Sequence, residues 1–195
     1  MSPAGRARCP RCDRPLITCL CAWVRPTANQ VRVALWQHPD EVRQAKGSAT
    51  LLALSLQSCE RWVSPEGDLA APLPAPWLQP GAALLYPADA DTPPAGELPR
   101  TLVVLDGTWR HSRAMLRAQP ALAALPRVAI PEALLAAHGQ RYRVRKAHRP
   151  GQLSTLEAVT LALGHLEGDP ARYTPVREAF DGWVDTLLAR AGRSD

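Results

Sequence analysis

Apolar positions in this chain fall into short blocks, each closed by proline, glycine or charge, and their periods switch between strand and helix. Residues 31–36 (Val-Arg-Val-Ala-Leu-Trp) alternate at first and favour β-branched types, which predicts a strand ending at His38-Pro39. Leu51, Leu52, Leu54 and Leu56 predict a helix capped by Ser48 and running to about Ser58, with Cys59 a small core residue at its end. A strand is expected at 61–64. Residues 65–81 hold five prolines and two glycines, so they read as a surface connection. Residues 82–86 and 101–105 are short apolar runs stopped by Pro87 and Asp106, the signature of buried strands. A helix is predicted from about Thr108, carrying Met115 and Leu116 and stopping before Pro120. A strand at 127–130, a short helix at 131–138, and helices at 155–166 and 175–191 complete the chain. Alternation of strands and helices gives the class: α/β, with a mostly parallel sheet flanked by helices.

Composition adds size and charge. The 195 residues allow one ordinary domain with a small appendage, divided here into residues 1–28 and 29–195. Apolar residues make up 46% and charged residues 21%, which excludes a chain disordered by composition. Lys plus Arg number 23 against 18 Asp plus Glu, and the net charge of +5 points to a polyanionic partner. Twenty prolines against one Phe favour stiff links between short elements over a long bundle. The first ten residues lack the apolar stretch of a secretory signal, and no run approaches the roughly 18 apolar residues of a membrane span. A cytoplasmic protein with no membrane partner and no obligate protein partner is the expectation.

Four of the five cysteines lie within thirteen residues, as Cys9-x-x-Cys12 and Cys19-x-Cys21. Two close thiolate pairs joined by a short loop suit one tetrahedral zinc ion, and Pro10 and Pro15 stiffen the turns that carry them. Free thiols clustered by chance are the alternative, while disulfides do not suit a chain with no secretory signal. Arg6, Arg8, Arg11, Arg14 and Arg25 surround the cluster, and Asp13 is the only acid before residue 30. Such a basic knuckle serves either as a nucleic-acid contact or as a solvated structural staple.

Ligands of open α/β sheets bind beyond the carboxyl ends of the strands. Three segments bring polar or glycine residues there: Tyr86-Pro87-Ala88-Asp89, Leu105-Asp106-Gly107-Thr108-Trp109 and Gly151-Gln152-Leu153-Ser154-Thr155-Leu156-Glu157. None is a GxGxxG or Walker loop, so neither a dinucleotide cofactor nor an NTPase is supported. Asp106 is the sharpest chemical candidate, as proton acceptor or orienting group; its structural alternative is the N-cap of the next helix. Ser154 and Glu157 have capping-box spacing. Gly107 permits a sharp turn or a close approach, and Trp109 offers either a stacking surface or a core anchor. His111, His138, His148 and His165 have no motif context. Residues 141–149 carry Arg141, Arg143, Arg145, Lys146 and Arg149 with no acid, and Arg110, Arg113 and Arg117 follow Asp106. Arg141, Arg143 and Arg145 would share one face of a strand, as a phosphate track does. A solvated charged face is the alternative.

The order of the Cys-x-x-Cys…Cys-x-Cys knuckle, His38-Pro39-Asp40-Glu41, Leu105-Asp106-Gly107-Thr108-Trp109 and Ser154-Thr155-Leu156-Glu157-Ala158 resembles the DTW-domain family. One departure is that the naming motif, often Asp-Thr-x-Trp, here reads Asp106-Gly-Thr-Trp109. The resemblance covers nearly the whole chain. It implies a SPOUT-like knotted catalytic domain behind a small N-terminal zinc knuckle, with zinc held by Cys9, Cys12, Cys19 and Cys21. It implies S-adenosylmethionine as co-substrate, held by Tyr86, Pro87, Leu105, Gly107, Thr108, Trp109, Leu153, Ser154, Thr155 and Glu157. The implied reaction is transfer of the aminocarboxypropyl group to N3 of a tRNA uridine, in the variable loop, with release of methylthioadenosine. Asp106 is then the catalytic candidate, and Arg110, Arg113, Arg141, Arg143, Arg145, Lys146 and Arg149 are the RNA-binding candidates. Two other readings stay open: a SPOUT-like RNA methyltransferase, and a non-catalytic zinc-ribbon RNA-binding protein.

Overall fold

Five parallel strands form one sheet in the order β2-β1-β4-β3-β5, where β1 is Arg32–Gln37, β2 Cys59–Val63, β3 Ala82–Leu85, β4 Thr101–Asp106 and β5 Arg127–Val128. The computed structural model describes residues 7–44, 47–88, 94–96, 98–139 and 153–191. Among the described residues six α-helices accompany the sheet: α1 Ala49–Ser55, α2 Trp109–Ala118, α3 Pro120–Ala123, α4 Glu132–Gly139, α5 Thr155–Leu166 and α6 Thr174–Ala191.

The central strands are apolar on both faces because both faces are covered. Val33 and Leu35 of β1 and Leu102 and Val104 of β4 point into a core shared with Leu51 and Leu52 of α1, Leu156, Val159 and Leu163 of α5, and Phe180 and Trp183 of α6. Ala34, Trp36, Val103 and Leu105 point the other way, against Trp77, Met115 of α2 and Leu122 of α3. This two-sided burial explains why 101–105 reads as an unbroken apolar run rather than an alternating one.

β1 and β4 are neighbours, yet the chain leaves them in opposite directions: β1 leads outward to β2, and β4 leads past β3 to the edge strand β5. Between them is therefore a topological switch point, the place where open α/β sheets have their ligand crevice, at the carboxyl ends where Gln37 pairs with Asp106. After β5 the chain comes back to the middle of the sheet, because α5 begins beside Asp106.

The N-terminal knuckle packs into the first of these cores. Leu20 and Val24 are buried there beside Cys9 and Cys12. Gly182 of α6 makes room for the Trp23 ring: a Cβ at 182 would lie 2.5 Å from it. The Arg14 guanidinium lies 4.7 Å from the centre of the Trp183 ring and also donates to the Gly47 carbonyl at 2.9 Å.

Most expected elements are present, with boundaries moved by tertiary contacts. The helix expected to reach Ser58 ends at Ser55, and Cys59 is the first residue of β2 rather than the end of a helix. Ser48 makes no side-chain cap on α1; its hydroxyl accepts from the Leu156 amide of α5 instead. The last strand shrinks to two residues, paired with the short β3 on one side and by a single bridge to Pro94 on the other. Among the described residues, no helix is long and apolar enough to cross a membrane.

Candidate active site and thiolate cluster

Asp106 closes β4 with its side chain 7% exposed, and both of its carboxylate oxygens accept hydrogen bonds. Gln37, its partner at the end of β1, donates to Oδ2 at 2.8 Å, and the Thr155 hydroxyl at the start of α5 donates to Oδ1 at 2.6 Å. Gln37 is itself fixed, because its Oε1 accepts from Arg61 of β2 at 2.9 Å. The end of β1 and the N-terminus of α5 thus hold the buried carboxylate at the end of β4, with Arg61 from the middle of β2 bracing Gln37. The N-cap of α2 is not Asp106 but Thr108, whose hydroxyl accepts from the His111 amide. Asp106 is thereby left to face the crevice.

His38 and His111 stack in the same crevice, with ring centres 3.8 Å apart and planes 5° from parallel. Gly107 lies against them; a Cβ there would come within 2.8 Å of the His111 Cβ. Asp40 Oδ2 lies 3.5 Å from His111 Nε2, and Glu41 Oε1 lies 3.6 Å from His111 Nδ1. Burial pushes His38 below the ordinary histidine value, and the neighbouring His111 adds to that shift.

At the rim, Tyr86 and Trp109 meet edge to face, 5.8 Å between centres, and Trp109 is 50% exposed. Arg127 lies against the Tyr86 ring at 5.2 Å. Tyr86 follows β3 and Trp109 opens α2, so the loops after two adjacent strands present one aromatic wall. Below α5, Ser154 and Glu157 form the expected capping box. Glu157, 2% exposed, also meets His138 of α4 at 3.0 Å, so its carboxylate faces inward. Leu153 is half-buried and Pro87 exposed at the crevice edge.

Cys9, Cys12, Cys19 and Cys21 place their four sulfurs within 4.8 Å of one another, with Cys9–Cys21 at 3.6 Å and Cys12–Cys19 at 3.7 Å. A tetrahedron with Zn–S bonds of about 2.3 Å has edges of about 3.8 Å, so the four sulfurs fit one zinc ion. All four cysteines are free of disulfides. Backbone amides of Cys12 and Arg11 pull the Cys9 thiol down to about 6, whereas burial, and after it the neighbouring thiols, pushes Cys21 up to about 12.

Of the residues picked from sequence, Asp106 and Thr155 are in direct contact, as are Ser154 with Glu157 and Tyr86 with Trp109. Arg110 and Arg113 are exposed on α2. Arg141, Arg143, Arg145, Lys146 and Arg149 lie outside the described residues. Sequence pattern alone does not reveal Gln37, Arg61 or the pairing of His38 with His111. The signal for Gln37 is a lone amide closing the apolar run Val33–Trp36. None exists for the two histidines, which are 73 positions apart until β1 and β4 pair.

The DTW domain family matches residues 6–188 of the chain. A Drosophila melanogaster protein named tRNA-uridine aminocarboxypropyltransferase 2 is 33% identical over 188 residues, covering 90% of this chain and 73% of its own length. An Arabidopsis thaliana protein named tRNA-uridine aminocarboxypropyltransferase A is 28% identical over 201 residues, covering 84% of this chain and 74% of its own. No solved structure matches the chain.

Proposed function

The chain belongs to the DTW domain family, and from that premise we propose that it is a tRNA-uridine aminocarboxypropyltransferase using S-adenosylmethionine as donor. The observation that carries the proposal is the Asp106 carboxylate, held by Gln37 and Thr155 in the β1/β4 crevice beneath the Tyr86–Trp109 wall. Such an arrangement suits a reaction whose leaving group, a sulfonium, is already activated: the protein then needs alignment more than Lewis-acid chemistry.

The donor is assigned to the three loops at the crevice: Tyr86 and Pro87; Leu105, Gly107, Thr108 and Trp109; and Leu153, Ser154, Thr155 and Glu157. Flat, part-exposed rings at Tyr86 and Trp109 supply a surface for a purine, and the fixed carboxylate of Asp106 supplies an anionic partner for a cationic or N–H group. Asp106 is assigned as the residue that orients the reacting groups. The acceptor is N3 of a uridine in the tRNA variable loop, and methylthioadenosine is the product that leaves.

Residues 1–28 are assigned as a structural zinc knuckle and residues 29–195 as the catalytic domain. Cys9, Cys12, Cys19 and Cys21 would hold the ion, which would fix the knuckle against α6. A SPOUT-like knotted topology is part of the proposal; support comes from the return of the chain from edge strand β5 to the centre of the sheet at α5. Arg110 and Arg113, with Arg141, Arg143, Arg145, Lys146 and Arg149, are assigned to the tRNA backbone in a cytoplasmic enzyme.

The test incubates the protein with S-adenosylmethionine and unmodified tRNA and identifies the small product. Methylthioadenosine is expected. S-adenosylhomocysteine would instead make the protein a methyltransferase, and RNA binding without turnover would leave a zinc-ribbon RNA-binding protein.

A further inference from the structure

The crevice contains titratable groups to which the proposed transfer gives no task. Resting on that reading of the reaction, we propose that His111 takes the N3 proton of the target uridine, with His38, Asp40 and Glu41 as its positioning residues.

Asp106 is poorly placed for this step. Both its oxygens already accept hydrogen bonds from Gln37 and Thr155, and little of it reaches solvent. The uridine imide is a weak acid, and a general base works best when its own pKa lies near the working pH, as an imidazole's does and an ordinary carboxylate's does not.

His111 adjoins the same strand ends. The His38 amide donates to the Asp106 carbonyl at 2.9 Å, and Gly107 is the gap through which the His111 ring approaches. The two nitrogens of His111 have distinct surroundings. Nδ1 is buried with no hydrogen-bond partner among the described residues, and Glu41 Oε1 is 3.6 Å away. Nε2 faces Asp40, whose side chain is 68% exposed, so this is the open side. A neutral imidazole with its proton on Nδ1, towards Glu41, leaves the Nε2 lone pair available in the crevice.

His38 supplies a fixed surface beneath it. His38 Nδ1 accepts from the Asp40 amide at 3.2 Å, which puts any proton of the neutral ring on Nε2. Burial disfavours a charge on His38, so the ring under His111 stays neutral while His111 gains a proton. The charged groups around the pair are Asp40 and Glu41 from the turn after β1 and Arg110 from α2.

One ligand atom each of His38, Asp40 and His111 lies within 4.8 Å of the others, the spacing of a metal group, yet an ion bound by imidazole lies near the plane of the ring, and these two rings, stacked as they are, share no such plane.

In the transfer, the N3–H proton moves to His111 Nε2, and the N3 electron pair forms the bond to the γ-carbon of the donor. The carbon–sulfur bond breaks with its electrons going to the sulfonium, which leaves as the neutral thioether methylthioadenosine. His111 then returns its proton to solvent past Asp40.

Single-turnover transfer to tRNA is measured for the wild type, His111→Ala and His111→Asn, from pH 5.5 to 8.5, with melts to confirm folding. The expected result is a loss of about 10²–10⁴-fold in both variants, with donor affinity within a few-fold of wild type. The acid limb of the wild-type profile should vanish, and added imidazole should restore His111→Ala in proportion to its unprotonated fraction. Folded variants that transfer within threefold of wild type, or that keep the acid limb, overturn the assignment of His111 alone. If the wild type releases no methylthioadenosine, the reading of the reaction itself falls.

Discussion

The Thr155 hydroxyl donates a 2.6 Å hydrogen bond to Asp106 Oδ1 across 49 residues of sequence, and so fastens the start of α5 to the end of β4. A bond to a buried carboxylate stabilises by more than one between neutral groups, about 1.5–3 kcal/mol.

Asp106→Asn keeps the shape of the side chain but replaces one acceptor with an N–H donor. Gln37 and Thr155 both donate into this position, so one contact becomes donor against donor. The variant is expected to lose about 1–3 kcal/mol of stability in urea melts and about 100-fold or more in transfer rate, because the groups it aligns are displaced. Thr155→Val should fold and show a smaller loss of both. An Asp106→Asn protein with wild-type rate would contradict an orienting role.

Zinc removal should destabilise more than the knuckle. Cys9 and Cys12 lie in the same core as Leu156 of α5 and Trp183 of α6, so loosening them exposes α6 as well. One zinc per chain is expected by elemental analysis, and strong chelation should lower the melting temperature and release the ion together. Cys12→Ser should bind less than one equivalent. Full occupancy in that variant would rule out the four-thiolate site.

Acid should weaken the fold through His38. Its folded-state pKa lies below the ordinary 6.5, chiefly because the ring is buried. Below about pH 6.5 the unfolded chain takes up a proton that the folded chain resists, so stability is present above that pH and is lost as pH falls towards the lowered value. Urea melts at pH 7.5 and 5.5 should show this loss, and His38→Phe, which keeps a flat ring, should show a smaller one. Equal losses would place the acid sensitivity elsewhere.

Charge reversal on α2 should act on tRNA and not on the donor. Arg110→Glu and Arg113→Glu change exposed side chains. Each is expected to raise KM for tRNA and to flatten the dependence of binding on salt by about one ion for every phosphate no longer neutralised, with donor affinity unchanged. Variants with an unaltered salt slope would move the RNA surface away from α2.

Sequence pattern suffices for the element order, the thiolate cluster and Asp106, because each of these is written locally. The capping box at Ser154 and Glu157 spans only four residues, and the start of α5 follows from it. Asp106 stands out because a charge ends the apolar run Leu102–Leu105. What the pattern does not show depends on pairing. Gln37 is an ordinary amide until β1 meets β4, and the two histidines stack only when those strands lie side by side. Ser48 departs from expectation for the same reason. Local propensity assigns it to α1, whereas the folded chain offers it the amide of Leu156. The end of α1 moves because Cys59 pairs with Val33 in the sheet, which extended backbone permits and helix does not.

The union of knuckle and α6 sets an order of events during synthesis. Trp23, Leu20 and Val24 are made about 160 residues before Gly182 and Trp183, which receive and surround them. The apolar side of the knuckle must therefore wait, uncovered, while the whole sheet is translated. A zinc ion held by the four nearby thiolates would require no distant partner, so metal capture would give the knuckle a shape before its docking surface exists. Closure of the core then falls to the last helix, which makes α6 the clasp of the molecule.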